Sequence, residues 1–268
     1  MGQEQIIIQV GEEKRKYPFG TTFLEVAKDF ADTKNDDIIL AESGNRLFEL
    51  CKKIKYDCEI RFITTAEKVG YDTYRRSVTL LMLKAMDHVA GHDNIEKISV
   101  HFSVGSGYYC TLKGKIRLTE QLLKEVKADM RELVEQKIPI QKRSEDTYKA
   151  IELFHEYGMY DKEALLTYRR VSKVNIYNLA GFEDYFYGYM APDTSYLRYF
   201  DLVLYDEGFV LLFPWMSNPR KVPEFQPRKK IFQVQKQTLL WGEMLKRFRR
   251  KKSERLQNRL QKRKQGSY

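Results

Sequence analysis

The clearest periodic signal in the chain is a run of apolar residues at helical spacing between Val78 and Val89. From Lys97 onward the pattern changes to alternation of apolar and polar residues, which is typical of a strand. Gly105-Ser106-Gly107 then predicts a turn into a second strand that continues through Thr111. This stretch is therefore predicted to form a helix followed by a β-hairpin. The apolar helix positions are Val78, Leu81, Met82, Ala85, Met86 and Val89.

The first sixty residues have a pattern of their own. Apolar runs predict a strand over Ile6–Val10 and a second over Lys14–Phe19, joined by a turn at Gly11. Thr22 with Glu25 three residues later is a capping box for a short helix. Two further strands are predicted, so the order strand, hairpin, helix, strands indicates a β-grasp domain. The helix would bury Phe23, Val26, Ala27 and Phe30, and the later strands are Ile38–Ala41 and Glu59–Ile63.

The remainder of the chain mixes helices and strands. Thr119 is placed to open a long helix, and a second helix is predicted from Ser144 to Tyr157, stopped by Gly158. After Pro214, spaced prolines predict a linker before a helix at Leu239–Phe248. The fold class is predicted as α+β, with domains at 1–64 and 65–214 and a linker, helix and basic tail at 215–268. The predicted strands are Ile138–Ile140, Val174–Leu179, Tyr185–Met190, Tyr199–Tyr205 and Phe209–Phe213.

Charge changes this picture only at the C-terminus. The 268 residues carry a formal net charge of +10, and the segment Lys246–Tyr268 holds eleven basic residues against Glu254, which accounts for all of it. Such a tail is too poor in apolar residues to pack and predicts salt-sensitive binding of nucleic acid without sequence preference. The candidate contacts in the tail are Arg247, Arg249, Arg250, Lys251 and Lys252.

Other classes of protein are disfavoured by the composition. The longest apolar run, Phe209–Met216, is far shorter than a membrane helix, and the N-terminus lacks a basic region followed by an apolar core. We therefore expect a cytoplasmic protein without a membrane partner. Three cysteines without Cys-x-x-Cys spacing predict small core residues and not disulfides or a zinc site. His88 and His92 are one helical turn apart, but no third ligand is spaced for them, so a surface role is favoured over metal binding.

Three motifs carry a resemblance to known families. The helix with Arg75-Arg76-Ser77, followed by Gly107-Tyr108-Tyr109, resembles the second additional domain of threonyl-tRNA synthetase, and Tyr17–Thr22 resembles the TGS domain. With Asp184–Gly188 and Phe200–Leu202, residues 1 to about 245 also resemble the N-terminal half of bacterial uridine-kinase-like nucleoside kinases. That resemblance implies an accessory or regulatory module whose kinase domain normally follows in cis. ATP and magnesium would then belong to the kinase domain, with no cofactor in this chain.

The catalytic groups of these families are missing from the motifs. No Gly-x-x-x-x-Gly-Lys-Ser/Thr loop is present, so phosphoryl transfer by this chain is not expected. The resemblance implies that two histidines of the synthetase editing site fall on Arg76 and Leu80, and a cysteine and a histidine on Phe186 and Met190. None of these side chains titrates near neutral pH, which argues against the alternative of a tRNA-editing deacylase.

What remains is a pocket without its catalytic groups. The resemblance implies that arginines and aromatic side chains line this pocket, where they would suit the phosphate and base of a nucleotide or of RNA. Packing of the tyrosines on a sheet is the competing interpretation, and a related RNA-binding protein is a further alternative. The pocket candidates are Arg75, Arg76, Tyr108, Tyr109, Phe186, Tyr187 and Met190, with Tyr185 and Tyr189 in the same segment.

Overall fold

The computed structural model describes residues 5–30, 37–242 and 244. The predicted tail contacts Arg247, Arg249, Arg250, Lys251 and Lys252 lie outside the described residues. The protein is an α+β structure, as predicted, with three separate sheets.

The N-terminal sheet has five strands in the order β2-β1-β5-β3-β4, with helix α1 packed on it. Strand β1 pairs antiparallel with β2 and parallel with β5, which is the β-grasp arrangement. The capping box is present: Glu25 Oε2 accepts the Thr22 N–H at 2.7 Å, and Thr22 Oγ1 accepts the Glu25 N–H at 3.2 Å. The elements are β1 Gln5–Val10, β2 Glu13–Pro18, α1 Phe23–Phe30, β3 Ile38–Ser43, β4 Arg46–Glu49 and β5 Cys58–Thr64.

A long central helix and a four-stranded sheet form the middle of the molecule. The predicted helix and hairpin are both confirmed, and the helix begins earlier than expected, at Lys68. The Thr119 hydroxyl accepts the Leu122 N–H at 3.1 Å and caps the next helix. The sheet order is β11-β12-β7-β6. The elements are α2 Lys68–Ala90, β6 Ile95–Val104, β7 Gly107–Gly114, α3 Glu120–Glu135, β11 Asp201–Tyr205 and β12 Gly208–Leu212.

The two faces of this sheet pack against different helices. Cys110 and Leu211 are buried against α2 and α3. Tyr109 and Val210, one residue away in each strand, pack on the opposite face against Phe232. Phe232 belongs to a helical segment over 229–242, which begins ten residues before the predicted helix at Leu239. Alternation along β7 therefore separates neighbouring tyrosines onto two sides of the sheet.

The third sheet, of order β10-β9-β8, corrects several predictions. The expected strand over Ile138–Ile140 is only an isolated bridge between Pro139 and Asp193. A strand instead forms over Gln141–Asp146 (β8), where a helix was expected to start at Ser144. Every residue of β8 pairs with β9. The predicted strand Tyr185–Met190 is also wrong, since β10 ends at Tyr185. The elements are β8 Gln141–Asp146, α4 Thr147–Glu156, α5 Tyr160–Thr167, β9 Lys173–Leu179 and β10 Phe182–Tyr185.

Helix α2 shares its hydrophobic core with the β-grasp sheet. Ile39, Leu40 and Ile63 of that sheet are fully or almost fully buried in the same cluster as the apolar residues of α2. The approach is close at Gly70, where an added Cβ would lie 2.0 Å from the Thr64 carbonyl oxygen. The start of α2 is therefore seated directly on the end of β5.

The cysteines differ from one another in burial. Cys110 is buried, as predicted, but Cys51 is exposed and Cys58 is intermediate. Cys51 lies in the turn that follows β4. Within the part of the chain that the structure describes, no helix is both long and apolar enough to cross a membrane.

Candidate functional site

A cleft of about 710 Å³ lies between two walls formed by residues 72–187. The first wall consists of α2, β6 and the start of β7. The second consists of α4, α5, β10 and the loop that follows β10. Residues of the first wall are Asp72, Arg76, Thr79, Leu83, Asp87, His92, Ile95–Val100 and Tyr108, and those of the second are Tyr157–Met159, Lys162, Leu165, Phe182 and Asp184–Tyr187.

Four of the seven predicted pocket residues line this cleft: Arg76, Tyr108, Phe186 and Tyr187. Tyr187 is the most open of them, with 78% of its surface exposed. Its neighbour Tyr185, also expected here, lines the cleft with its ring largely buried. The structure thus brings together residues from α2, β7 and the loop after β10.

The other three predicted residues lie outside the cleft. Tyr109 points to the opposite face of the sheet and contacts Phe232, with ring centroids 4.9 Å apart. Met190 is 1% exposed because it packs in the core beneath α2, where its sulfur accepts the Ser77 hydroxyl at 3.4 Å. The Arg75 guanidinium is turned over the ring of Tyr108, 4.2 Å from its centroid.

Arg76 is held against the loop after β10. Its Nη1 donates a hydrogen bond to the Tyr189 carbonyl oxygen at 2.7 Å. Its guanidinium also covers Gly188, whose φ is +120° and where an added Cβ would lie 2.6 Å from Arg76 Cζ. Among the described residues, no ion pair includes Arg76. The guanidinium therefore brings to the cleft a positive charge that no described carboxylate pairs with directly.

The loop from Gly188 to Ala191 is fixed by hydrogen bonds at every residue. The Gly188 carbonyl accepts the Tyr177 hydroxyl at 2.5 Å, and the Tyr189 carbonyl accepts Arg76. The Met190 N–H donates to Glu49 Oε1 at 3.0 Å, and the Ala191 N–H donates to Ser77 Oγ at 2.8 Å. Because the backbone polar groups are satisfied by side chains, this loop needs no strand partner.

The four positions that the resemblance assigns to editing residues divide into two groups. Leu80 is 0% exposed and Met190 is 1% exposed, so both belong to the core. Arg76 and Phe186 reach the cleft. A permanent cation and an aromatic ring cannot take a proton from water near neutral pH, so the four positions offer no general base.

A histidine and two carboxylates in the cleft were not predicted as site residues. His92 Nδ1 lies 2.7 Å from Asp87 Oδ1, and this bond raises the pKa of His92 despite partial burial. Asp184 is buried and is paired with Lys162 at 2.9 Å. Asp87 and His92 are only five residues apart along the chain, whereas the pair of Lys162 and Asp184 joins α5 to β10 and has no local sequence signal.

The two histidines of the His-x-x-x-His spacing bond to different carboxylates. His88 Nδ1 lies 2.7 Å from Asp129 of α3, whereas His92 bonds to Asp87. Within the described residues, no group of three His, Cys, Asp or Glu side chains could hold a metal ion.

Comparison with known proteins relates the chain to one class of enzyme. No protein-family model matches it. It is 27% identical over 194 residues to the threonine–tRNA ligase of Thermotoga maritima, 26% over 192 to that of Carboxydothermus hydrogenoformans and 24% over 191 to that of Methylococcus capsulatus. These matches cover 71% to 72% of this chain, and the chain spans 29% to 30% of each ligase. These matches show that the chain contains a region like part of threonyl-tRNA synthetase. The comparisons give no support to the nucleoside-kinase resemblance.

Proposed function

We propose that this chain is a threonyl-tRNA-synthetase-related binding module that holds an anionic nucleotide or a tRNA end in its cleft without hydrolysing it. The single observation that carries the proposal is the Arg76 side chain, which α2 presents to the cleft. The resemblance implies a histidine of the editing site at this position, whereas Arg76 carries no ion-pair partner among the described residues. An arginine can bind phosphate through several parallel donors but cannot activate water.

The neighbouring aromatic groups suit the same ligand. Tyr108 lies on the first wall, and Phe186 and Tyr187 lie on the second, so a base that entered the cleft would meet aromatic side chains on both sides. Stacking on aromatic rings tolerates any base and strengthens binding of single-stranded nucleic acid. The Arg76 charge and these rings together favour a phosphorylated nucleoside over a neutral metabolite.

The related enzymes act on tRNA as their names state, and this supports a tRNA end as one form of the ligand. The role of accessory module to a nucleoside kinase has no support from the relatives and is not part of the proposal. The basic residues from Lys246 onward would attract a polyanion without sequence preference. This attraction would add to the binding at the cleft.

The proposal is tested by binding measurements with AMP and with deacylated tRNA on the full chain. Arg76→Ala is expected to weaken binding by about 1 to 3 kcal/mol, the range for a charge-assisted hydrogen bond, without loss of fold. Arg131→Ala removes an exposed arginine from α3, far along the chain from the cleft residues, and is expected to leave AMP binding unchanged.

Two results would contradict the proposal. One is that the parent protein binds neither AMP nor tRNA, or binds both as well without Arg76. The other is that the parent protein deacylates mischarged tRNA above the rate in buffer, since Arg76, Leu80, Phe186 and Met190 cannot activate water.

A further inference from the structure

We infer that Glu49, in the β-grasp domain, is a positioning residue that fixes the loop against which Arg76 is held. Glu49 is the last residue of β4 and does not line the cleft. The inference deepens the proposed function by naming how the first domain controls the binding site. Its evidence is a set of hydrogen bonds, which exist whether or not the ligand has been identified correctly.

The Glu49 carboxylate reaches across from one domain to the other. Its side chain is only 12% exposed, and Oε2 lies 3.2 Å from Nζ of Lys142 on β8. Oε1 accepts the Met190 N–H at 3.0 Å and the Tyr177 hydroxyl at 2.6 Å. All three of these partners belong to the second domain. Hydrogen bonds to a charged group in a largely buried place are stronger than those at the surface.

Two short paths connect Glu49 to Arg76. Along the backbone, Met190 is bonded to Glu49 and the preceding residue, Tyr189, is bonded to Arg76. Through Tyr177, the hydroxyl bonded to Glu49 also lies 2.5 Å from the carbonyl of Gly188, the residue that Arg76 covers. The three residues Gly188–Met190 are therefore held between α2 on one side and β4 on the other.

Tyr177 keeps its hydrogen throughout the physiological range. Burial, followed by the charge of Glu49, raises the pKa of Tyr177 well above the ordinary value for a tyrosine. The hydroxyl thus acts as a donor shared between the carboxylate and the Gly188 carbonyl. Because Tyr177 does not lose its proton near neutral pH, its hydroxyl remains a hydrogen-bond donor across that range.

Removal of the carboxylate should release the loop. In Glu49→Ala, the Met190 N–H has no acceptor in a buried place, and the loop can then move away from Arg76. Glutamine keeps a side-chain carbonyl oxygen that can accept both hydrogen bonds. A role through position therefore predicts rescue by Glu49→Gln, whereas a role through charge at Lys142 predicts none.

The test is amide hydrogen exchange by NMR on the full chain, together with the side-chain N–H resonance of Arg76. Glu49→Ala is expected to speed exchange of the Met190 amide by about tenfold or more and to shift the Arg76 resonance. Glu49→Gln should keep both close to the parent. Glu42→Ala is the matched control, because it removes a β-grasp carboxylate that pairs with exposed Arg61 and leaves the loop untouched.

The outcomes separate this inference from the proposed function. Unchanged Met190 exchange and an unchanged Arg76 resonance in Glu49→Ala would overturn the inference even if the parent binds AMP. The expected changes would support it even if the parent binds neither AMP nor tRNA, a result that defeats the proposed function alone. If Glu49→Ala does not fold, Tyr177→Phe replaces it: loss of the Gly188 hydrogen bond should shift the Arg76 resonance, and no shift would overturn the inference.

Discussion

The two walls of the cleft are held in place by different kinds of interaction. The first wall rests on α2, whose apolar residues are buried from Val78 to Met86 against sheets on more than one side. The second wall is made of short elements and a loop held by side-chain hydrogen bonds, and its aromatic residues Tyr160 and Tyr187 stay exposed. A change of chemistry on the first wall must therefore fit a packed core, whereas exposed positions of the second wall, such as Tyr187, can change without repacking.

The largest effect should come from placing a histidine on the first wall. Leu80→His places an imidazole in a fully buried apolar site and is expected to lower the free energy of unfolding by about 3 kcal/mol. Phe186→His makes the corresponding change on the second wall, where the side chain is partly exposed, and should cost about 1 kcal/mol or less. Urea unfolding of both variants measures the contrast, and equal losses would show that the walls do not differ in this way.

A smaller effect should come from the loop of the second wall. Gly188→Ala combines the strain of φ +120° with displacement of the Arg76 guanidinium, and it should destabilise the protein by about 2 kcal/mol and weaken AMP binding. Gly181→Ala is the control: its φ is +83°, but nothing lies within 4 Å of the added Cβ. It should cost about 1 kcal/mol and leave AMP binding as in the parent. Equal binding by the two variants would contradict the role of Gly188.

The smallest effect should be a pH dependence where the walls meet. His92 bonds to Asp87 on the first wall and lines the cleft together with Tyr157 of the second, and its pKa is raised. Protonated His92 thus stabilises the folded protein below its unfolded pKa, and this stabilisation is lost as the pH rises through the folded pKa. Because the side chain is half-exposed, we expect less than about 1 kcal/mol.

The measurement is the free energy of unfolding at about pH 5 and about pH 9, on either side of the histidine titration. The parent should lose more stability between these values than His92→Gln does. The same pH dependence in both proteins would assign it to other groups.

The first wall could be predicted from sequence, and the second could not, for physical reasons. The periodicity of α2 and the Gly105–Gly107 turn are signals within short stretches of sequence. They are sufficient to predict the helix and the hairpin. The residues Tyr185, Tyr187 and Tyr189 alternate as in a strand, but Gly188 at φ +120° and the bonds to Arg76 and Glu49 bend the chain away from β10. Polar β8 has no apolar alternation at all, and only its pairing with β9 makes it a strand.

The same contrast explains the site. Arg76 and Tyr108 lie on predicted elements and reach the cleft, whereas Tyr109 was misplaced because the sequence does not show that a helix from 229–242 covers the other face of its sheet. The importance of Glu49 had no local signal, since its partners lie more than ninety residues further along the chain. Side-chain networks between distant segments are where a single sequence carries the least information.

The contact between α2 and the β-grasp sheet also affects whether the protein can be divided into fragments or exchanged in part with another protein. Ile39, Leu40 and Ile63 share one apolar cluster with α2, and Gly70 leaves no space beside Thr64. A cut after residue 64 would expose this cluster on both fragments, so we expect a single melting transition for the whole chain. A β-grasp domain taken from another protein would have to supply the same apolar patch, which makes the two domains one unit of exchange.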